Sequence, residues 1–91
     1  MSRKPDILHS LSVKKKEVRE NDLVLHNDEV NSFDYVIASL IDICNHEREQ
    51  AEQCSIIVHN KGKCGVKKGT VKYLRPMCQA LIERGLSASI E

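Results

Sequence analysis

Residues 24–36 read VLHNDEVNSFDYV, and the change of period inside this stretch decides the fold. Val24 and Leu25 sit in a short apolar segment, Asp22 to His26, that reads as a strand. Asn27 to Asn31 is turn chemistry, because Asn and Asp side chains bond the backbone a few residues on and tolerate tight bends. From Phe33 the apolar residues recur at three and four positions: Phe33, Val36, Ile37, Leu40, Ile41 and Cys44 form one face of an amphipathic helix. Asn31 is the expected N-cap of that helix, with Asp34 at N3 favouring the positive end of its dipole, and Asn45 is the expected stop. A strand that ends on an amide and two carboxylates is either an ordinary turn or a place where something positively charged docks.

Outward from this stretch, Glu47 to His59 reads as a second helix, with acids in its first turn and Ala51, Cys54, Ile57 and Val58 on its buried face. Ile56-Ile57-Val58 is β-branched, but the preceding Ala-Glu-Gln run and the terminator Gly62 argue for helix. Lys63 to Lys68, around Cys64-Gly65-Val66, reads as a second strand. Gly69 and Thr70 then open a third helix with the stripe Leu74, Met77, Cys78, Leu81 and Ile82. Pro76 lies early in that helix and is expected to bend its first turns or to move its regular start later. Gly85 closes it, and Leu86 to Ile90 alternates as a last strand. The order β-α-α-β-α-β predicts an α+β fold: one small domain over residues 21–91, a three-stranded sheet with the helices on one face. Residues 1–20 hold Pro5 and the run Lys14-Lys15-Lys16 with little sustained periodicity, so a flexible N-terminal arm is expected there.

A chain of 91 residues supports one small domain, and 41% hydrophobic with 30% charged residues is ordinary for a globular protein. There is no apolar run long enough to span a bilayer, and MSRKPDILHS is too polar for a signal peptide, so a cytoplasmic protein with no membrane partner is expected. Cys44, Cys54, Cys64 and Cys78 form no C-x-x-C pair and no zinc-finger spacing with a His, so they read as small buried thiols, with no metal and no cofactor expected. The net charge of +1 is unevenly placed: seven acids and one base lie between Asp28 and Glu52, and seven bases and two acids from Lys61 onward. One Phe and two Tyr are too few for a base-stacking platform, so no nucleic-acid partner is expected. Nothing in the chain demands more than a monomer.

Asn27 and Asp28 end the first strand, and His59 ends the second helix. If that helix packs along the sheet, the three converge. All offer acceptors, which suits an ammonium group with three donors. Taken alone they are also explained by turn chemistry and by a His favoured near a helix C-terminus. Beside them Phe33, Val36, Val58 and Leu86 are apolar. Opened to solvent, such a group is a pocket with a polar rim, the usual design of a ligand site.

NDEVNSFDYVI (27–37), VHNKGKCGV (58–66) and GLSASIE (85–91), in this order and spacing, resemble the Clp protease adaptor family (ClpS), and the resemblance runs from about Asp22 to Glu91. It implies a protein that is not an enzyme and has no catalytic residue. Its members bind substrates whose first residue is typically Leu, Phe, Tyr or Trp (N-degrons) and hand them to the AAA+ unfoldase of the Clp protease, ClpA- or ClpC-like. By the resemblance, the substrate's free α-amino group is held at Asn27, Asp28 and His59. Its first side chain enters a pocket whose matching positions are Leu25, Asn31, Phe33, Val36, Ser55, Val58 and Leu86. The N-terminal arm engages the unfoldase. Phe33 and Ser55 stand where many members carry Met, Asn31 stands where many carry Thr, and the loop between His59 and Cys64 is shorter than in many members, so the side-chain preference stays open.

Two readings from other classes stand beside this one. In the first, Cys64 and His59 form a small thiol enzyme, which needs a thiolate next to a base. In the second, the chain is a protein-interaction domain like the C-terminal domain of the ribosomal stalk protein, docking through the basic helix around Lys72 and Arg75.

Overall fold

A computed structural model describes residues 20–91, so nearly all of the arm expected over residues 1–20 lies outside the described residues. The elements follow the expected order: β1 (Asn21–His26), α1 (Phe33–Cys44), α2 (Arg48–Lys61), β2 (Lys63–Gly69), α3 (Val71–Glu83) and β3 (Ser87–Ile90). The sheet is antiparallel with strand order β2-β1-β3, which puts the first strand at its centre. Period two turns Leu23 and Leu25 toward the helices. There they join Leu40, Leu74 and Leu81 in a core cluster whose leucines are essentially without exposure. The opposite face carries the buried Val24 among polar and charged residues. On it Lys68 pairs with Asp22 at 2.9 Å and Lys63 with Glu91 at 3.6 Å.

The cap of α1 departs from expectation. Ser32, not Asn31, is the N-cap: its backbone is extended and its Oγ accepts from the Tyr35 N–H at 3.2 Å. The shift by one residue moves Asp34 into N2. Its cause is that the Asn31 side chain is bonded elsewhere, to Asp28 and to the Gly85 carbonyl. Asn45 stops the helix as expected, in the left-handed region at φ 59.

α2 runs two residues beyond the expected end at His59, to Lys61. Gly62, at φ 94, then turns the chain, and its N–H donates to the Val58 carbonyl at 2.9 Å. Pro76 does not delay α3. Thr70 caps it by accepting from the Tyr73 N–H at 3.1 Å, and the helix runs from Val71 through the proline to Glu83. β3 begins at Ser87, one residue after its expected start.

β1 and β2 change register between Leu23, opposite Lys67, and Val24, opposite Gly65. Val66 is the extra residue of a β-bulge. Its side chain is buried, and its carbonyl accepts from Nε2 of the buried His46 at 2.7 Å. Lys67 reaches back to donate to the Cys44 carbonyl at 3.0 Å, so the bulge is fastened to the connection between α1 and α2. Cys44 and Cys54 fill the core as the sequence suggests; Cys64 and Cys78 are only half-buried, at its edge. Among the described residues no helix is long and apolar enough to cross a membrane.

Candidate functional site

The end of β1, the turn into α1, the last turns of α2 and the residue before β3 meet around a cavity of about 220 Å³. Two sets of hydrogen bonds bring them together. The Asn27 N–H donates to the Gly62 carbonyl at 2.9 Å, which ties the end of α2 to the end of β1 and sets His59 beside the turn. On the other side, the Arg84-Gly85-Leu86 loop is fastened onto α1. Tyr35 Oη donates to the Arg84 carbonyl at 2.7 Å, and the Arg84 guanidinium reaches Ser39 Oγ at 3.3 Å and Asp42 Oδ2 at 3.1 Å. Asn31 Nδ2 completes the clamp by donating to the Gly85 carbonyl at 3.0 Å. These bonds place Leu86 in the cavity wall.

Asp28 organises the rim. Its Oδ1 accepts from the backbone N–H groups of Val30 and Asn31, both at 3.0 Å. Asn31 Nδ2 bridges the two carboxylate oxygens at 3.2 and 3.1 Å. The Asn31 backbone N–H is the main cause that holds the Asp28 carboxyl below the usual carboxylate range, with desolvation opposing it. The group is therefore charged at neutral pH and fixed in direction, and Oδ2, with a single partner, keeps acceptor capacity.

The walls are apolar. Leu25, Val58 and Leu86 are buried, and Val36 is partly so. Phe33 stands half-exposed at the mouth, its ring centroid 5.5 Å from that of His59 and tilted by 56°. One polar residue lies deep: Ser55, on α2, is buried, and its Oγ donates to the Ala51 carbonyl at 2.9 Å. Ser55 and His59 are four residues apart and so share a helix face, one above the other.

All ten residues expected at the site line this one cavity: Asn27, Asp28 and His59 together with Leu25, Asn31, Phe33, Val36, Ser55, Val58 and Leu86. His26, Glu29 and Ser32 line it as well and were not expected. Glu29 and Ser32 fall between expected residues of the same turn, which is the signal that would have found them. The His26 ring, 2.8 Å from Ser89 Oγ, depends on the pairing of β1 with β3, which no local pattern reveals. An anion-lined rim above an apolar interior takes a ligand with a cationic head and an apolar body. Among the described residues, no group of three or more His, Cys, Asp or Glu is placed to hold a metal ion.

The sequence profile of the family described as ATP-dependent Clp protease adaptor protein ClpS matches residues 16–89. A protein of that description from Oleidesulfovibrio alaskensis is 49% identical over 53 residues, which are 56% of this chain and 51% of the relative. A second, from Streptomyces avermitilis, is 29% identical over 68 residues, 75% of this chain and 65% of the relative. The matched part thus spans about half to two thirds of these relatives. Agrobacterium tumefaciens ClpS2, solved bound to L-phenylalaninamide, superposes with a TM-score of 0.74 over 80% of this chain and 95% of its own, at 16% identity. At that identity the likeness establishes the fold.

Proposed function

The chain belongs to the ClpS family of Clp protease adaptors, and from that premise we propose that it is a non-catalytic adaptor of the cytoplasmic Clp machinery. It binds the free α-amino group and the bulky first side chain of a substrate protein and passes that protein to a ClpA- or ClpC-like AAA+ unfoldase. The observation that carries this reading is the Asp28 carboxylate, charged and held by three donors at the rim of an apolar cavity. An ammonium group docks on Asp28 with Asn27 and His59 beside it; leaving such a charge unpaired on burial costs several kcal/mol. A Leu or Phe side chain taken up between Leu25, Val58 and Leu86 adds about 1.5–3 kcal/mol. L-phenylalaninamide, the ligand of the Agrobacterium structure, has a free amine and an aromatic side chain, which supports the reading.

The test is fluorescence anisotropy of short peptides beginning with Leu, Phe, Tyr, Trp, Val or Ala, each with an N-acetylated twin. Acetylation removes the charge and two of the three donors, so binding of the large, unbranched set is expected to disappear in the twins. Asp28→Ala is expected to abolish binding with the fold intact by circular dichroism. Binding that ignores acetylation, or that survives Asp28→Ala, rejects the proposal. The thiol-enzyme reading gains nothing from the geometry: the Cys64 thiol donates to the Gly65 carbonyl at 3.5 Å, and the His59 ring packs against Phe33.

A further inference from the structure

We propose that Ser55 sets which first residue the cavity prefers: an aromatic side chain with a hydrogen-bond donor at its far end, tyrosine above phenylalanine. The inference rests on the adaptor reading above and concerns the same cavity. The polar rim residues Asn27, Asp28, Asn31 and His59 are exposed or only partly buried, whereas Ser55 is 4% exposed and lies among Leu25, Val58 and Leu86.

A hydroxyl has one donor and two lone pairs. The Ser55 proton is committed to the Ala51 carbonyl at 2.9 Å, so what the side chain still offers the cavity is an acceptor. With no donor supplied, that acceptor is desolvated without a partner whenever an apolar ring fills the space.

The geometry puts the acceptor at the correct depth. Ser55 lies one helical turn below His59, about 6 Å along the axis of α2. A first residue whose amine is held at Asp28, beside His59, extends its side chain down this face. A phenol spans a distance of that order from its Cα, so its O–H arrives at the level of Ser55. Phenylalanine fills the same space but brings no donor. Leucine is shorter and leaves the floor unfilled.

The measurement is the affinity of peptides that differ only in a first residue of Tyr, Phe, 4-fluorophenylalanine or Leu, for the native protein and for Ser55→Ala. Alanine keeps nearly the same volume and is a better helix former, so the variant folds. In the native protein the Tyr peptide is expected to bind roughly three- to tenfold more tightly than the Phe and 4-fluorophenylalanine peptides, the worth of one net hydrogen bond. In Ser55→Ala the Tyr-to-Phe ratio is expected to fall to about one. Equal affinity for Tyr and Phe in the native protein, or a Tyr preference that persists in Ser55→Ala, overturns the inference and leaves the adaptor reading standing. Failure of all four peptides to bind overturns the adaptor reading and the inference with it.

Discussion

The carboxylate of Asp28, the proposed recognition group, is already held in place by its own turn. Two backbone N–H groups and one side-chain amide hold it, so on the proposed reading a docking amine would not have to order this carboxylate. The Asn31 side chain ties this turn to the loop before β3, because its amide also holds the Gly85 carbonyl. Asn31→Ala is expected to weaken free-amine peptides by about tenfold, the worth of lost orientation at a charged contact, and to raise the Asp28 midpoint in an NMR titration of the carboxyl carbon. The midpoint stays below that of an unfolded carboxylate, since the backbone donors remain. The sign for stability follows. A carboxyl whose folded pKa is depressed contributes stability above its unfolded pKa, and that contribution is lost as the pH falls through the folded value. Acid titration of the native fold should therefore show Asp28 protonating below the ordinary carboxylate range; a midpoint inside that range would contradict the hydrogen-bonding pattern.

Element by element, what the sequence revealed is what local physics controls. The switch from period two at Leu25 to the three-and-four spacing from Phe33 marked β1 and α1, and Gly62 and Gly85 marked helix ends through conformations that favour glycine. The same locality explains what was misread. Asn31 and Ser32 are both good caps, and the choice between them was made by a carbonyl 54 residues away. The bulge at Val66 depends on a buried imidazole 20 residues back, and no spacing rule announces it. Pro76 removes a donor opposite the Lys72 carbonyl, yet the first turn of α3 is already secured by Thr70. Gly62 carries the clearest test at this scale. A side chain at its φ of 94 is strained, so Gly62→Ala should cost about 1–2 kcal/mol in chemical denaturation. Because the Gly62 carbonyl accepts from Asn27, the variant should also weaken peptide binding in the folded fraction. A loss of stability with unchanged affinity would show that the link between α2 and β1 does not position the rim.

Across the whole molecule, the four cysteines report how completely the core is closed. Burial pushes the Cys44 thiol up to about 11; burial first, and the neighbouring Cys64 thiol after it, push Cys54 up to about 12. An alkylating reagent at pH 8 should therefore label Cys64 and Cys78 in the native protein and reach Cys44 and Cys54 only on denaturation, as counted by mass spectrometry. Early labelling of Cys54 would mean that α2 opens from the core as a local unit. The clamp between α1 and the Arg84–Leu86 loop has a kinetic counterpart. Its bonds join residues 54 and 49 positions apart, so each closes a long loop, and contacts of that span are paid for in chain entropy before they return anything. The cavity consequently has no counterpart in a partly folded chain. It needs the Arg84–Leu86 loop seated on α1, so on the proposed reading peptide capture during refolding is expected to lag until those distant contacts have formed.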